Sequence, residues 1–132
     1  MTDEETLATK KLTRKKLDEY LLAKPYVRLD YPFGEEAGVY KVNITPLKKS
    51  AGKNSEPDEK MFALVNENKT PINISLKCDP ELSKVLREQY ESVMPGYHLN
   101  KKHWNTLVLS GQLDDQEVLD LIDLSYRLVT EG

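Results

Sequence analysis

Apolar residues recur along this chain with two periods, and each period marks an element. Leu17, Tyr20 and Leu21 stand at i, i+3 and i+4, the stripe of a helix with one buried face. Thr13 is placed to cap it, Leu12 and Leu17 flank the cap as a hydrophobic staple, and Pro25 stops it, which predicts a helix from Thr13 to Ala23. A period of two follows. VYKVNI (Val39–Ile44) puts Tyr40, Val42 and Ile44 on one face, and INISLK (Ile72–Lys77) points Ile72, Ile74 and Leu76 inward and Asn73, Ser75 and Lys77 outward. Between them MFALV (Met61–Val65) is apolar throughout, as a central strand is.

The helical period then returns. Asp79 as N-cap and Pro80 at the first helical position open a second helix, with Leu82, Val85 and Leu86 as its buried stripe and Pro95–Gly96 as its stop. TLVLS (Thr106–Ser110) reads as a strand. In the last helix Asp114 is the N-cap, Glu117 its capping-box partner and Leu113 with Val118 the staple. Val118, Leu121, Ile122, Ser125 and Val129 line its inner face. The order α-β-β-β-α-β-α predicts an α+β fold, a two-layer sandwich with an antiparallel sheet of four to five strands and helices on one face. The other face is left polar, carrying Lys41, Asn43, Asn73, Ser75 and Lys77. Residues 1–12 read as a flexible N-terminal extension and 13–132 as a single domain. PLKKSAGKNSEPDEK (Pro46–Lys60), rich in turn formers and lysine, reads as a long mobile hairpin loop.

Composition narrows the function classes. With 39% hydrophobic and 31% charged residues, 132 residues suit one globular core. No apolar run approaches the ~20 residues of a membrane span and the N-terminus has no apolar signal core, so a cytoplasmic protein without a membrane partner is expected. The single cysteine, Cys78, excludes an internal disulfide and fits a reducing compartment. A net charge of −3 argues against indiscriminate phosphate binding. The charge is uneven: residues 10–28 hold seven basic and two acidic side chains, residues 112–132 six acidic and one basic. Arg14, Lys15 and Lys16 fall in a first helical turn, where the helix dipole favours acids, so the turn suits an anion unless residues 3–9 are also helical.

DYPFGE (Asp30–Glu35), MFALV, ISLKCDPE (Ile74–Glu81), PGYHLNKKHWNTL (Pro95–Leu107) and DLSYRLV (Asp123–Val129) together resemble the MmcQ/YjbR family of small bacterial proteins over roughly residues 13–130. The HLNKKHW block with the upstream SLKCDPE is the specific part. The resemblance implies a fold of the CyaY-like, secretion-chaperone-like kind, and it implies DNA binding, by analogy of the sheet and loops to a double wing. Relative to that family, the lead-in before Thr13 is extra and the Pro46–Lys60 loop is longer and more basic.

GYHLNKKHWNT (Gly96–Thr106) gathers most of the candidate chemistry. A nucleic-acid contact is coherent: Lys101 and Lys102 for phosphates, His98 and Asn100 as hydrogen-bonding groups, Trp104 or Tyr97 for stacking. Lys77 on the sheet face and Lys48, Lys49 and Lys53 on the loop would extend it. The same residues could serve a structural corner, Asn100 capping a turn and Trp104 packing over the core edge. His98 and His103 lack metal-ligand spacing. Cys78 before a helix start could act as a nucleophile, but Asp79 beside it opposes a thiolate. The expected function is therefore non-enzymatic binding, without cofactor, of DNA or alternatively of a protein or peptide on the open sheet face. A small enzyme or metal carrier is the third reading.

Overall fold

A computed structural model describes residues 12–48, 56–97 and 99–131. Three helices, α1 (Arg14–Leu22), α2 (Pro80–Gln89) and α3 (Asp115–Glu131), accompany six strands. These are β1 (Val27–Asp30), β2 (Ala37–Asn43), β3 (Glu59–Asn66), β4 (Asn73–Lys77), β5 (Val93–Pro95) and β6 (Trp104–Val108). They form one antiparallel sheet in the order β1-β2-β3-β4-β6-β5. The α+β class holds, with six strands where four to five are expected, and two of the six, β1 and β5, are not among the strands the apolar pattern marks. Both are short edge strands. VRLD carries only two core-facing residues, Val27 and Leu29, and VMP only three residues in all, too few for a period to register.

All three helices lie on the inner face. Leu17 and Leu21 of α1, Tyr40 and Val42 of β2, Phe62 and Val65 of β3, Ile74 of β4 and Ile122 of α3 belong to one buried cluster. α2 joins the same side through Arg87, whose Nε donates to Asn105 Oδ1 at 2.7 Å; Asn105 is in register with inward-facing Leu76.

The expected caps form. Thr13 Oγ1 accepts from Lys16 N at 3.1 Å, and Asp79 caps α2. Asp114 Oδ1 accepts from Glu117 N at 2.8 Å, but the Glu117 carboxylate takes a hydrogen bond from Tyr90 Oη instead of closing the box. Thr13 is extended, so the cations do sit in the first turn of α1. One of the three meets an internal anion: the Arg14 guanidinium grips both oxygens of Glu67.

Three expectations are corrected. α2 ends at Gln89 rather than at Pro95, because Val93 is drawn into pairing with Leu107. Its buried position is Ser83, with Leu86 and Tyr90 against the core, while Val85 is exposed. β6 begins at Trp104 and ends at Val108, two residues earlier than TLVLS suggests.

The register of β2 on β3 shifts between Tyr40 and Lys41, whose partners are Ala63 and Met61, so Phe62 is an extra residue in β3. Ser125 of α3 meets this defect. Its hydroxyl donates to Phe62 O at 2.6 Å and accepts from Lys77 N at 2.9 Å.

On the same helix Asp123 accepts from Lys24 Nζ at 2.6 Å and from Tyr20 Oη at 2.7 Å. Burial alone would raise the Asp123 pKa, but these two hydrogen bonds outweigh it and hold the carboxyl below its ordinary value. A carboxyl depressed in the folded state stabilises the protein above its unfolded pKa of about 3.9, and that contribution is lost as pH falls through the lower folded value. Asp123→Asn should therefore be less stable than the parent at pH 7, and thermal melts across the acid range should show the two converging as pH falls through the lowered folded-state value.

Candidate functional site

The outer sheet face is not uniform. Outward side chains are fixed by the register: Arg28 opposite Lys41 on β1 and β2, Leu64 opposite Ser75 on β3 and β4, Ser75 opposite Thr106 and Lys77 opposite Trp104 on β4 and β6. On the β1–β2 side every outward cation has an acid. Arg28 pairs with Glu59 at 2.5 Å and Lys41 with Asp30 at 3.1 Å. Lys48, at the start of the 46–60 loop, binds Asp58 at 2.7 Å.

The β4–β6 side differs. Among the described residues, no carboxylate forms an ion pair with Lys69, Lys77, Lys101 or Lys102. The acidic residues of α3 lie on the opposite, helical face and do not neutralise them.

Ser75 was expected to be open, yet it is 4% exposed, as is Thr106. Their hydroxyls lie 2.8 Å apart, and Thr106 Oγ1 also accepts from Tyr97 N at 3.1 Å. The segment from Met94 to Tyr97 rises beside them and turns the face into a groove of about 290 Å³, with Asn66, Asn73, Ser75 and Thr106 as polar lining and Leu64, Met94 and Tyr97 as apolar lining. Tyr97 is 66% exposed. A larger cleft of about 490 Å³ lies by the β3–β4 turn among Leu12, Pro71, Leu109, Leu113 and Val118; it is mainly aliphatic, with Thr13, Thr70 and Ser110 as hydroxyls and Asp115 its one charge.

The Gly96–Thr106 stretch divides into frame and rim. Asn100 belongs to the frame: its Oδ1 accepts from Lys102 N at 2.9 Å and His103 N at 3.2 Å, and its carbonyl from Trp104 N at 3.0 Å. This commits the Asn100 side-chain oxygen to the turn and leaves its NH2 group as a donor. Gly96 is required where it stands, since a Cβ there would meet Trp104 Cβ at 2.7 Å and Trp104 O at 3.1 Å.

Arg87 clamps the turn from below, donating to the carbonyls of Lys101 and Trp104. Nothing in the apolar pattern singles out Arg87, because its partners are distant carbonyls. Lys101 Nζ rests on Gly96 O at 3.1 Å, keeping its charge at the rim, and Lys102 is exposed. Trp104 is half-buried on the outer face beside Lys77. Thus Lys77 lies opposite Trp104 on the outer face, Lys101 and Lys102 sit in the turn that leads into Trp104, and Lys48 is held by Asp58 at the other end of the sheet. His98, Lys49 and Lys53 lie outside the described residues. Lys69, Asn66 and Thr106 are groove or rim residues that the pattern did not select.

Cys78 is buried, and burial pushes its thiol pKa up, against a thiolate nucleophile. Reagent titration of the thiol should be slow in the folded protein and become complete only in denaturant; rapid native reaction would restore the nucleophile reading. No cluster of three or more His, Cys, Asp or Glu side chains among the described residues could hold a metal ion. No described helix is long and apolar enough to cross a membrane.

Residues 22–128 match the YjbR family. The uncharacterised protein YjbR of Escherichia coli K12 is 43% identical over 70 residues, 53% of this chain and 59% of YjbR, so the chain spans under two thirds of that relative's length. YyaQ of Bacillus subtilis is 31% identical over 117 residues, 89% of this chain and 98% of YyaQ. Among solved structures, DR2400 of Deinococcus radiodurans superposes with a TM-score of 0.78 at 35% identity, covering 91% of this chain and 80% of that one.

Proposed function

The chain belongs to the YjbR family, and on that footing we propose that it is a non-enzymatic DNA-binding protein working through the β4–β6 half of its open sheet face. One observation carries this reading. The cations Lys77, Lys101 and Lys102 lack ion-pair partners among the described residues beside two aromatic rings, Tyr97 and Trp104, whereas the cations of the β1–β2 half are paired. Phosphates supply the missing anions, and ring faces supply sequence-tolerant stacking.

The net charge of −3 sets the character of such binding. Attraction comes from a local patch and not from the whole molecule, so it is short in range and sharply screened by salt. About three phosphate contacts correspond to a slope of roughly −2 to −3 in log K against log salt concentration. In the 46–60 loop, Lys48 is held by Asp58 and is not counted among these contacts. Retardation of DNA across a salt series tests the reading: a slope near zero, or no retardation at low salt, removes it.

A further inference from the structure

We infer that the groove beside Tyr97 receives one unpaired base of a bound strand, so that the protein selects single-stranded or locally opened DNA over intact duplex. This inference rests on the DNA reading above and deepens it.

The groove has the size and chemistry of a base. At about 290 Å³ it sits at the lower edge of the roughly 300–1,000 Å³ typical of small-molecule pockets, room for one heterocycle and not for a helix or a folded peptide. Its lining alternates as a base needs: apolar faces from Leu64, Met94 and Tyr97, and edge groups from Asn66, Asn73 and the Ser75–Thr106 pair.

The polar groups have capacity to spare. Ser75 and Thr106 own two hydroxyl protons, and their mutual bond uses one, leaving one to donate. Asn73 makes no side-chain hydrogen bond with another described residue, and a carboxamide can pair bidentately with the N6 and N7 groups of adenine.

Charge brackets the groove. Lys69 stands in the β3–β4 turn at one end, and Lys77 lies two residues along β4 from Ser75 toward the other, about 6.6 Å at the usual strand rise. A base seated between them leaves its flanking phosphates near both cations. A base stacked within a duplex cannot leave the stack to enter the groove and lay its face on Tyr97, which is why a paired duplex would gain only the phosphate contacts.

The test compares a short oligoadenylate, an abasic strand of equal length and adenosine monophosphate, with wild-type protein and Asn73→Ala and Tyr97→Ala variants of matched melting temperature. The abasic strand should bind wild type roughly ten- to a hundredfold more weakly than oligoadenylate, and both variants should shrink that gap. Adenosine monophosphate should shift the Asn73 side-chain amide resonances.

Equal binding of the two strands, with the Asn73 amide unmoved, overturns the base site while leaving DNA binding intact. A mononucleotide shift without oligonucleotide binding keeps the site and overturns the DNA reading. Neither binding nor shift overturns both.

Discussion

Ser125→Ala is expected to lower the unfolding free energy by about 2–4 kcal/mol, although it deletes a single oxygen atom. The β3–β4 ladder stops at the Ala63–Leu76 pair, because the extra residue Phe62 breaks the register. Beyond that point Phe62 O and Lys77 N have lost each other as partners. One hydroxyl serves both, donating to the first and accepting from the second, from a residue with no solvent exposure. Alanine fills nearly the same space but leaves a buried acceptor and a part-buried donor unsatisfied, each at a cost of about 1–3 kcal/mol. Stabilities of small domains run to about 5–15 kcal/mol, so the loss should be plain in urea titrations. Thr130→Ala is the control. Thr130 Oγ1 donates at 2.8 Å to Tyr126 O within the same helix, a local back-bond whose removal strands no distant group. If both variants melt together, the ladder gap is not held by Ser125.

The second large effect concerns binding. Lys77→Glu with Lys102→Glu should weaken DNA retention at least about tenfold and flatten the salt slope by roughly 2, since each lost phosphate contact removes nearly one unit. Neither side chain takes part in a hydrogen bond or ion pair that holds the described fold together, so the double variant should melt like its parent. Lys101 is less suitable for this purpose, because its ammonium also anchors the Gly96 carbonyl. Lys48→Glu is the matching control: it alters the charge next to Asp58 on the paired half and should leave retention nearly unchanged. Equal loss from Lys48→Glu and from the double variant would mean general electrostatics, and the β4–β6 surface would lose its claim.

Residue by residue, the elements most legible from sequence are those with caps and long stripes. Thr13, Asp79 and Asp114 mark three helix starts correctly, and INISLK declares its two faces. The candidate site was legible in part. The outward positions of Lys77 and Trp104 follow from strand alternation, but that the Asn100 side-chain oxygen holds the turn and that Asp58 binds Lys48 do not. Ser75 is outward by alternation, yet buried, because the Met94–Tyr97 segment stands beside it. Alternation reports which way a side chain points and carries no information about what another segment places over it.

Local information therefore determined the helix caps, the inward and outward positions of the clean strands, the α+β class and the family. These depend on residues within a few positions of one another, where backbone geometry dictates periods of 3.6 and 2. The tertiary structure alone decided the two edge strands, the Phe62 bulge and its Ser125 bridge, the Arg87 clamp, the pairing of every β1–β2 cation and the groove beside Tyr97. Each of these joins groups far apart in the chain, and a hydrogen bond or ion pair between distant residues leaves no periodic trace in the sequence.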